Sequence, residues 1–438
     1  MQIDLTTYQD LSIFHPEEEY SIFHKLNLTR TAGGKEWMKR YFLEPLQTSE
    51  QIRNVQSILQ RMMSILPEWP QQITNGTLLV LEKFLDYDID TMPLNPGMVS
   101  SHSYRLFHSQ DFSMSRFSLS HFQDFLAGLR KIIDRLSGNP ESDRLSLLLE
   151  RSGHLMQHQE VQELCSRSRA KPFTTQETVY FGQFLHGRFR HQAMELIEVY
   201  CQLDAWYGMA AAVNRFGLTF PEVIDQEEPY FQAEGLYHLL LEKPVSYGLE
   251  MTPRSNFIFL TGANMAGKST FIKSVGLSVF LAHIGMGVPA AFMKMSLFDG
   301  ILSNINVSDN IAKGESYFFN EVQRIKNTVI RISDNKRWLI LIDELFKGTN
   351  IQDAMKCSST VIKGLIRIRR ALFILSTHLY EIGEELKIHP NICFRFFETG
   401  IRDGQLEFSY QLREGISNDR IGYLILQREK VTDLLDHL

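Results

Sequence analysis

Cysteine is scarce in this chain, and its spacing excludes two kinds of cross-linked protein. Four cysteines occur among 438 residues: Cys165, Cys201, Cys357 and Cys393. No two of them form a C-x-x-C pair, so the pattern fits neither a disulfide framework nor a zinc site. We therefore expect reduced thiols.

Signals for export or membrane insertion are also sparse. The first ten residues, MQIDLTTYQD, are acidic and polar where a signal peptide has a basic start and an apolar core, which predicts a cytoplasmic protein. Residues 274–292 are almost free of charge over about the length of a membrane span. They contain His283, three glycines and Pro289. We therefore predict a buried helix that ends near Gly285 and no membrane segment.

The chain has no excess of positive charge. Its 45 lysines and arginines are outnumbered by 51 aspartates and glutamates, for a formal net charge of −6. Binding to nucleic acid would therefore have to rely on a local basic patch. The hydrophobic content of 44% and charged content of 22% are typical of a globular chain. The length predicts a multidomain protein.

Apolar spacing predicts helices throughout the first half of the chain. A Pro, Asn and Gly cluster at residues 92–98 and the Ser-rich stretch that follows it to Ser120 predict turns and loops. The segments with helical periodicity are residues 21–85, 122–136, 145–164 and 180–206.

Beyond Gly217 the pattern changes to short β-rich runs that alternate with helical segments. The runs are residues 256–260, 338–342 and 371–375. Such alternation predicts a parallel sheet with crossover helices. The expected architecture is an all-helical N-terminal half and an α/β C-terminal half, joined between Gly217 and Gly235.

A phosphate-binding loop follows the first of these runs. Residues 262–269, GANMAGKS, fit the pattern G-x-x-x-x-G-K-[ST] between an apolar strand and a helix. Converging backbone N–H groups and the helix dipole favour phosphate there. We predict that Lys268 contacts the β and γ phosphates of ATP and that Ser269 holds Mg²⁺. The predicted ATP-binding residues of the loop are Gly262, Ala263, Asn264, Met265, Ala266, Gly267, Lys268, Ser269 and Thr270.

Carboxylates and a histidine end the other two β-rich runs. Asp343 and Glu344 follow WLILI, at the strand end where α/β sheets place their ligands. We assign Asp343 to the Mg²⁺ shell and Glu344 to the attacking water. His378 follows the third run and would lie near the γ-phosphate if the second and third strands are neighbours. The catalytic candidates are therefore Lys268, Glu344 and His378.

These motifs resemble the MutS group of DNA mismatch-repair ATPases. Residues 261–270, TGANMAGKST, are similar to that family's TGPNMGGKST, and residues 281–290, LAHIGMGVPA, to its helix ending in IGxxVPA. Residues 341–350, LIDELFKGTN, resemble its DE-x-x-[RK]-G-T segment, and residues 376–378, STH, its ATH. In the helical half, residues 21–46 and 200–217 resemble the opening and the closing helix of its core domain.

The resemblance implies the family's fold, an all-α core and lever domain followed by an α/β P-loop NTPase domain of the ABC type. We assign residues 1–95 to the first part of the helical core. Residues 96–230 form the lever or arm segment and the return to the core. Residues 231–438 form the ATPase domain with C-terminal dimerisation elements.

The resemblance also implies a composite site. Residues 308–321, SDNIAKGESYFFNE, are similar to the family's SDDLA-x-GRSTF-x-x-E. In MutS-like dimers the serine of this segment reaches the nucleotide of the partner subunit. The resemblance therefore implies a homodimer through the ATPase domains, with Gly314 and Ser316 acting in trans. From the residues alone, the segment predicts only a polar loop before a helix.

The chain departs from the family pattern in several places. We expect the N-terminal mismatch-reading domain to be missing, because the core-like sequence begins almost at residue 1. The helical span over residues 120–190 looks too short for full levers and a DNA clamp. Glu315 replaces the family's usual arginine and Ala266 a loop glycine, which puts mismatch specificity and catalytic rate in question.

Candidate contacts to DNA and to the adenine base are less specific. Tyr247, upstream of the phosphate loop, is an aromatic candidate for stacking on the base. The densest basic group of the helical half lies near Phe173 and Phe189 and is a candidate DNA contact, although such groups are usually solvated faces. Its members are Arg167, Arg169, Lys171, Arg188 and Arg190.

The leading hypothesis is a MutS-like ATPase that uses ATP and Mg²⁺ and binds duplex or branched DNA. It would act in DNA repair or DNA-structure processing, with a repair protein as a further candidate partner and no membrane association. The alternative is an ATP-driven switch of the same fold whose arms engage a protein instead of DNA. A small-molecule kinase ranks last, because the motifs offer neither an acceptor pocket nor a lid.

Overall fold

The protein divides into two compact units. The computed structural model describes residues 1–137, 143–305, 317–402, 405–417 and 434. The helical unit comprises Leu26–Leu43 and Asn54–Phe216. The sheet unit comprises Met1–Lys25, Glu44–Arg53 and Gly217–Leu438. The expected change from a helical N-terminal region to an α/β C-terminal region is confirmed.

Helices make up most of the N-terminal half. Short 3₁₀ turns lie at Glu18–Tyr20 and Leu66–Glu68, and a π-helical turn spans Phe184–Arg188. In chain order the helices are α1 (Leu5–Asp10), α2 (Ile22–Leu26), α3 (Ala32–Leu43), α4 (Ser49–Ile65), α5 (Asn75–Asp86), α6 (Met98–Phe107), α7 (Ser109–Leu136), α8 (Asp143–Leu155), α9 (Gln159–Ser166), α10 (Thr175–Gln183) and α11 (Arg190–Phe216).

A buried carboxylate fixes the start of α3 in the helical unit. Asp204 of α11 is fully buried and accepts hydrogen bonds from the backbone N–H groups of Arg30 and Thr31 and from the Thr31 hydroxyl. These donors satisfy a charge that burial alone would destabilise. A Cβ on Gly34 would lie 2.1 Å from an Asp204 oxygen, so this position requires glycine.

The Ser-rich stretch before Ser120 is helical, so the loop prediction for it is wrong. Helix α6 and the first turns of α7 cover this stretch. Ser115 is buried and donates to the carbonyl of Asp111, four residues back, at 2.7 Å. Serine thereby satisfies its hydroxyl inside a helix. Phe112 and Leu119 are buried on the same helix and supply the packing that overrides the low helix propensity of serine.

The sheet unit contains one large and one small sheet. The large sheet has seven strands in the order β1-β7-β8-β9-β5-β10-β11, all parallel except the last pair, β10 and β11. The small sheet has the order β2-β6-β3-β4. The strands are β1 (Gln2–Ile3), β2 (Glu222–Ile224), β3 (Phe231–Leu236), β4 (Tyr247–Met251), β5 (Phe257–Thr261), β6 (Phe292–Ser296), β7 (Gly300–Asn304), β8 (Trp338–Asp343), β9 (Ala371–Ser376), β10 (Ile392–Arg402) and β11 (Gln405–Glu414).

Helices connect the strands of this unit. They are α12 (Lys268–His283), α13 (Tyr317–Ile332), α14 (Ile351–Leu365) and α15 (Glu381–Leu386). Helix α12 accounts for the apolar run of residues 274–292: it is buried and ends at His283, and Gly285 follows with a φ of 74°. Over the part of the chain that the structure describes, no helix is long and apolar enough to cross a membrane.

Candidate functional site

Three neighbouring strands deliver the predicted motifs to one edge of the large sheet. Strand β9 lies between β8 and β5, with Asp343 opposite Ser376 and Ser376 opposite Leu260. Every residue of these three strands is buried. Because the strands are parallel, their carboxyl ends and the polar residues that follow meet at the same edge. Strands β8 and β9 are therefore neighbours, as the predicted approach of His378 to the site requires.

The loop between β5 and α12 has the backbone that a phosphate-binding turn needs. Gly262 and Gly267 have φ values of 138° and 106°, which favour glycine. A Cβ on Gly262 would also lie 3.3 Å from the backbone nitrogen of Phe397. Met265 adopts a φ of 68° and is 70% exposed. The loop ends at the first residue of α12, so its N–H groups and the helix N-terminus are adjacent.

Lys268 folds back onto the loop that precedes it. Its Nζ donates to the carbonyls of Gly262 at 2.8 Å and Ala263 at 2.9 Å and lies 3.5 Å from His378 Nε2. The side chain is buried, and burial lowers the pKa of Lys268 while Glu344 and Asp343 oppose that shift. A buried ammonium that donates to two neutral carbonyls is suited to accept an anionic partner.

Two hydroxyls converge on the carboxylate of Asp343. Ser269 Oγ donates to Asp343 Oδ2, and Ser376 Oγ donates to Asp343 Oδ1. Asp343 is only 7% exposed, so these contacts orient it within the sheet edge. A hydroxyl and a carboxylate oxygen in direct contact are the oxygen ligands that Mg²⁺ takes in nucleotide sites, and the donor set therefore fits that ion.

Glu344 is held between His378 and Lys347. Its Oε1 lies 2.6 Å from His378 Nε2, and its Oε2 lies 2.9 Å from Lys347 Nζ. Burial raises the pKa of Glu344, but hydrogen bonds from His378 and Lys347 outweigh it and lower the pKa to about 2. The carboxylate is therefore ionised at neutral pH and can accept a proton or a hydrogen bond from water.

A cavity of 460 Å³ opens beside these groups. Tyr247 lines it but is only 6% exposed, and its ring packs edge-on against Phe271 at 5.3 Å and Phe397 at 5.7 Å. Tyr410, 41% exposed, lines the same cavity. The full lining is Leu241, Lys243, Val245, Tyr247, Asn264, Met265, Gly267, Lys268, Ser269, Thr270, Glu344 and Tyr410.

Sequence reasoning missed four of these lining residues. Leu241, Lys243 and Val245 lie in an irregular connection between β3 and β4, where no periodic pattern marks them. Tyr410 lies on β11 and has a φ of 53°. Its approach to the cavity depends on the antiparallel pairing of β10 with β11, which local sequence does not reveal.

Two of the predicted site residues cannot be located. Gly314 and Ser316, the residues expected to act in trans, lie outside the described residues. Helix α13 begins at Tyr317, immediately after them in the chain.

The basic group proposed for DNA is largely engaged with acids inside the helical unit. Arg167 is almost buried, binds Glu177 through two nitrogens at 3.1 Å and lies 4.5 Å above the Phe173 ring. Lys171 is exposed. The other pairs are Arg169 with Asp124, Arg188 with Glu160 at 2.8 Å and Arg190 with Asp86 at 3.9 Å.

Comparison with known proteins matches the C-terminal region of the chain to one family. Residues 258–432 match the family model of MutS domain V. The chain is 30% identical over 231 residues to the DNA mismatch repair protein MutS of Pseudothermotoga lettingae, a stretch covering 52% of this chain and 28% of that protein. It is 34% identical over 188 residues to the DNA mismatch repair protein MSH3 of Vanderwaltozyma polyspora, covering 41% and 18%.

A plant relative gives the same result. The DNA mismatch repair protein MSH4 of Arabidopsis thaliana is 33% identical over 234 residues, which is 50% of this chain and 28% of that protein. The C-terminal region is thus of the MutS domain V type. Over this region the chain is similar to proteins of the MutS family. The matched stretch covers 18% to 28% of the length of these relatives.

Proposed function

We propose that the sheet unit is a P-loop NTPase domain that binds ATP with Mg²⁺ and hydrolyses it. The observation that carries this proposal is the convergence of Lys268, Ser269, Asp343 and Glu344 at one sheet edge, three of them beside a 460 Å³ cavity. A phosphate loop opening a helix and a carboxylate pair on a neighbouring strand are the parts that phosphoryl transfer to water requires.

Each residue has a distinct task in this proposal. Lys268 leaves its loop carbonyls and binds the β and γ phosphates, while loop N–H groups supply further donors. Ser269 and Asp343 hold Mg²⁺, which would neutralise charge that develops on the phosphates. Glu344 orients and deprotonates the attacking water. His378 stays against Glu344 and Lys268 and senses the γ-phosphate.

The Lys268→Ala variant tests nucleotide binding directly. Removing the buried ammonium takes away the main charge partner of the phosphates, so ATP affinity should fall by at least about a hundredfold. Equilibrium binding of a fluorescent ATP analogue measures it, with the exposed Lys326→Gln variant as the control. Wild-type affinity in Lys268→Ala would contradict the assignment of the phosphate site.

We further propose that the protein works on DNA in the cytoplasm, as a homodimer of ATPase domains. Support comes from the relatives, whose names describe DNA mismatch repair. ATP binding at two composite sites would then alter how the helical unit holds duplex or branched DNA.

One surface favours the second candidate, an ATP-driven switch that engages a protein. Large apolar side chains are exposed on and beside α6: Leu94 at 72%, Met98 at 72%, Val99 at 81%, Leu106 at 76% and Phe107 at 78%. Such clusters mark protein-binding surfaces more often than DNA-binding ones, where basic residues prevail. Four of the five basic residues suggested for DNA are also paired with acids.

Affinity for DNA separates the two candidates. Plain, mismatched and branched duplexes should bind the wild-type protein, with an affinity that changes when ATP is added and falls as salt rises. Fluorescence anisotropy at several salt concentrations measures this, with and without ATP. Absence of binding to every duplex at modest salt would favour the protein-binding switch.

A further inference from the structure

The loop that follows Glu344 has a strained backbone. Glu344 and Phe346 adopt φ values of 63° and 58°, in the left-handed region that side chains other than glycine disfavour. Two such residues within three positions persist only when surrounding contacts hold them. The side chains of Leu345 and Phe346 are both buried.

Helix α13 contacts this loop at two points. The ring of Phe318 lies 5.6 Å from the ring of Phe346. Glu321, one helical turn further on, is only 3% exposed and accepts hydrogen bonds from the backbone N–H groups of Lys347 at 3.2 Å and Gly348 at 3.3 Å. A buried carboxylate is stable only where donors satisfy it, so Glu321 and the loop backbone fix each other.

The fixed loop in turn places Lys347. From this position its Nζ reaches Glu344 Oε2 at 2.9 Å. The chain of contacts therefore runs from Glu321 through the backbone of Lys347 to the carboxylate of Glu344. Glu321 itself touches neither the cavity lining nor Glu344 in any contact given by the structure.

We propose that Glu321 is a positioning residue, which holds the Lys347 loop so that Glu344 stays correctly aimed. This role rests on the proposed hydrolysis of ATP.

The test compares Glu321→Gln with Lys347→Met and the double variant. Glutamine keeps the size of the side chain but loses the charge and presents an N–H group to the loop donors. We expect kcat for ATP to fall about tenfold in each single variant, with KM within twofold of wild type. The kcat of the double variant should be no lower than that of the less active single variant.

A second measurement does not depend on ATP. Hydrogen exchange followed by mass spectrometry should show faster exchange at the Lys347 and Gly348 amides in Glu321→Gln. Lys326→Gln, a charge change at an exposed position of the same helix, should match wild type in exchange, kcat and KM.

Several results would overturn the inference. Unchanged exchange, an unchanged kcat or additive losses in the double variant would each show that Glu321 does not act through Lys347. If Glu321→Gln fails to fold, Lys347→Met decides, and a wild-type kcat there overturns the proposal. A wild-type chain that hydrolyses no ATP contradicts the proposed function, whereas equal exchange in wild type and Glu321→Gln contradicts only the role of Glu321.

Discussion

At the scale of single residues, the setting of Glu344 defines how the site works. Both of its oxygens are occupied, one by His378 and one by Lys347. Each carboxylate oxygen can accept a further hydrogen bond, so Glu344 can orient a water molecule while it keeps both contacts. Hydrogen bonds from His378 and Lys347 keep the pKa of Glu344 low, so the carboxylate stays ionised.

The sequence identifies the chemical groups of the site but not their contacts. The motif spacing alone selects Lys268, Ser269, Asp343 and Glu344, and the structure brings these four residues to one sheet edge. Their roles in catalysis stay predictions. The hydrogen bond from Ser376 to Asp343 depends on the register of two strands far apart in sequence, which no local pattern encodes.

Buried histidines should make the sheet unit sensitive to acid. His283 contacts the Leu46 carbonyl through Nδ1 at 3.0 Å and accepts the Phe298 N–H at Nε2 at 3.2 Å, an arrangement that only the neutral ring satisfies. Burial lowers the pKa of His283, and also that of His238, from 6.5 to about 4.

Their contribution to stability is therefore complete above pH 6.5 and is lost as the pH falls from 6.5 to about 4. The free energy of unfolding should drop by about 1.4 kcal/mol per pH unit for each histidine in that window. Urea unfolding at pH 7.5, 6 and 5 measures the slope. The exposed-histidine variant His24→Gln should keep the wild-type slope, and a flat profile in the wild-type protein would refute the explanation.

At the scale of elements, the sequence predicts the fully buried strands but misses the short strand that is defined only by its pairing. Strands β5, β8 and β9 are buried throughout, and such strands are readable as unbroken apolar runs. Strand β1 has only two residues and pairs with β7, so it has no periodicity to detect. Buried Asp10 fixes the same region by accepting hydrogen bonds from Ser303 and Ile305.

Helices are predicted less well where polar residues occupy buried faces. The segment of residues 145–164, expected as one helix, is divided between α8 and α9 with a break after Leu155. Conversely, the serines before Ser120 continue a helix because neighbouring apolar residues pack. In the serine stretch tertiary contacts, which periodicity does not contain, decide the outcome.

At the scale of the whole molecule, the sheet unit gathers three separated segments of chain. Residues near the N-terminus add a strand to its edge, and the backbone N–H of Leu46 donates to the carbonyl of His283 at 2.7 Å. The change of sequence pattern after Gly217 marks the third segment, but no such change marks the ends of the first two. Long-range hydrogen bonds such as that from Leu46 to His283 show which segments belong to the sheet unit.

Mixing two inactive variants tests whether the nucleotide site is composite. If Ser316 acts on the partner's nucleotide, homodimers of Lys268→Ala and of Ser316→Ala each lack any complete site. A mixed dimer then keeps one complete site, and random mixing should restore about a quarter of wild-type activity. Hydrolysis assays on the mixture, with sedimentation to establish dimers, measure this. A dimeric mixture as inactive as its components would mean that each site is complete within one chain.

The central claim is that Glu344 activates water for ATP hydrolysis at the edge of the large sheet. Single-turnover hydrolysis with Mg²⁺ in the wild-type protein and in Glu344→Gln tests it most directly, alongside ATP binding by each protein. We predict that Glu344→Gln binds ATP as wild type does and hydrolyses it at least about a hundredfold more slowly. Equal rates of hydrolysis in the two proteins would contradict the account.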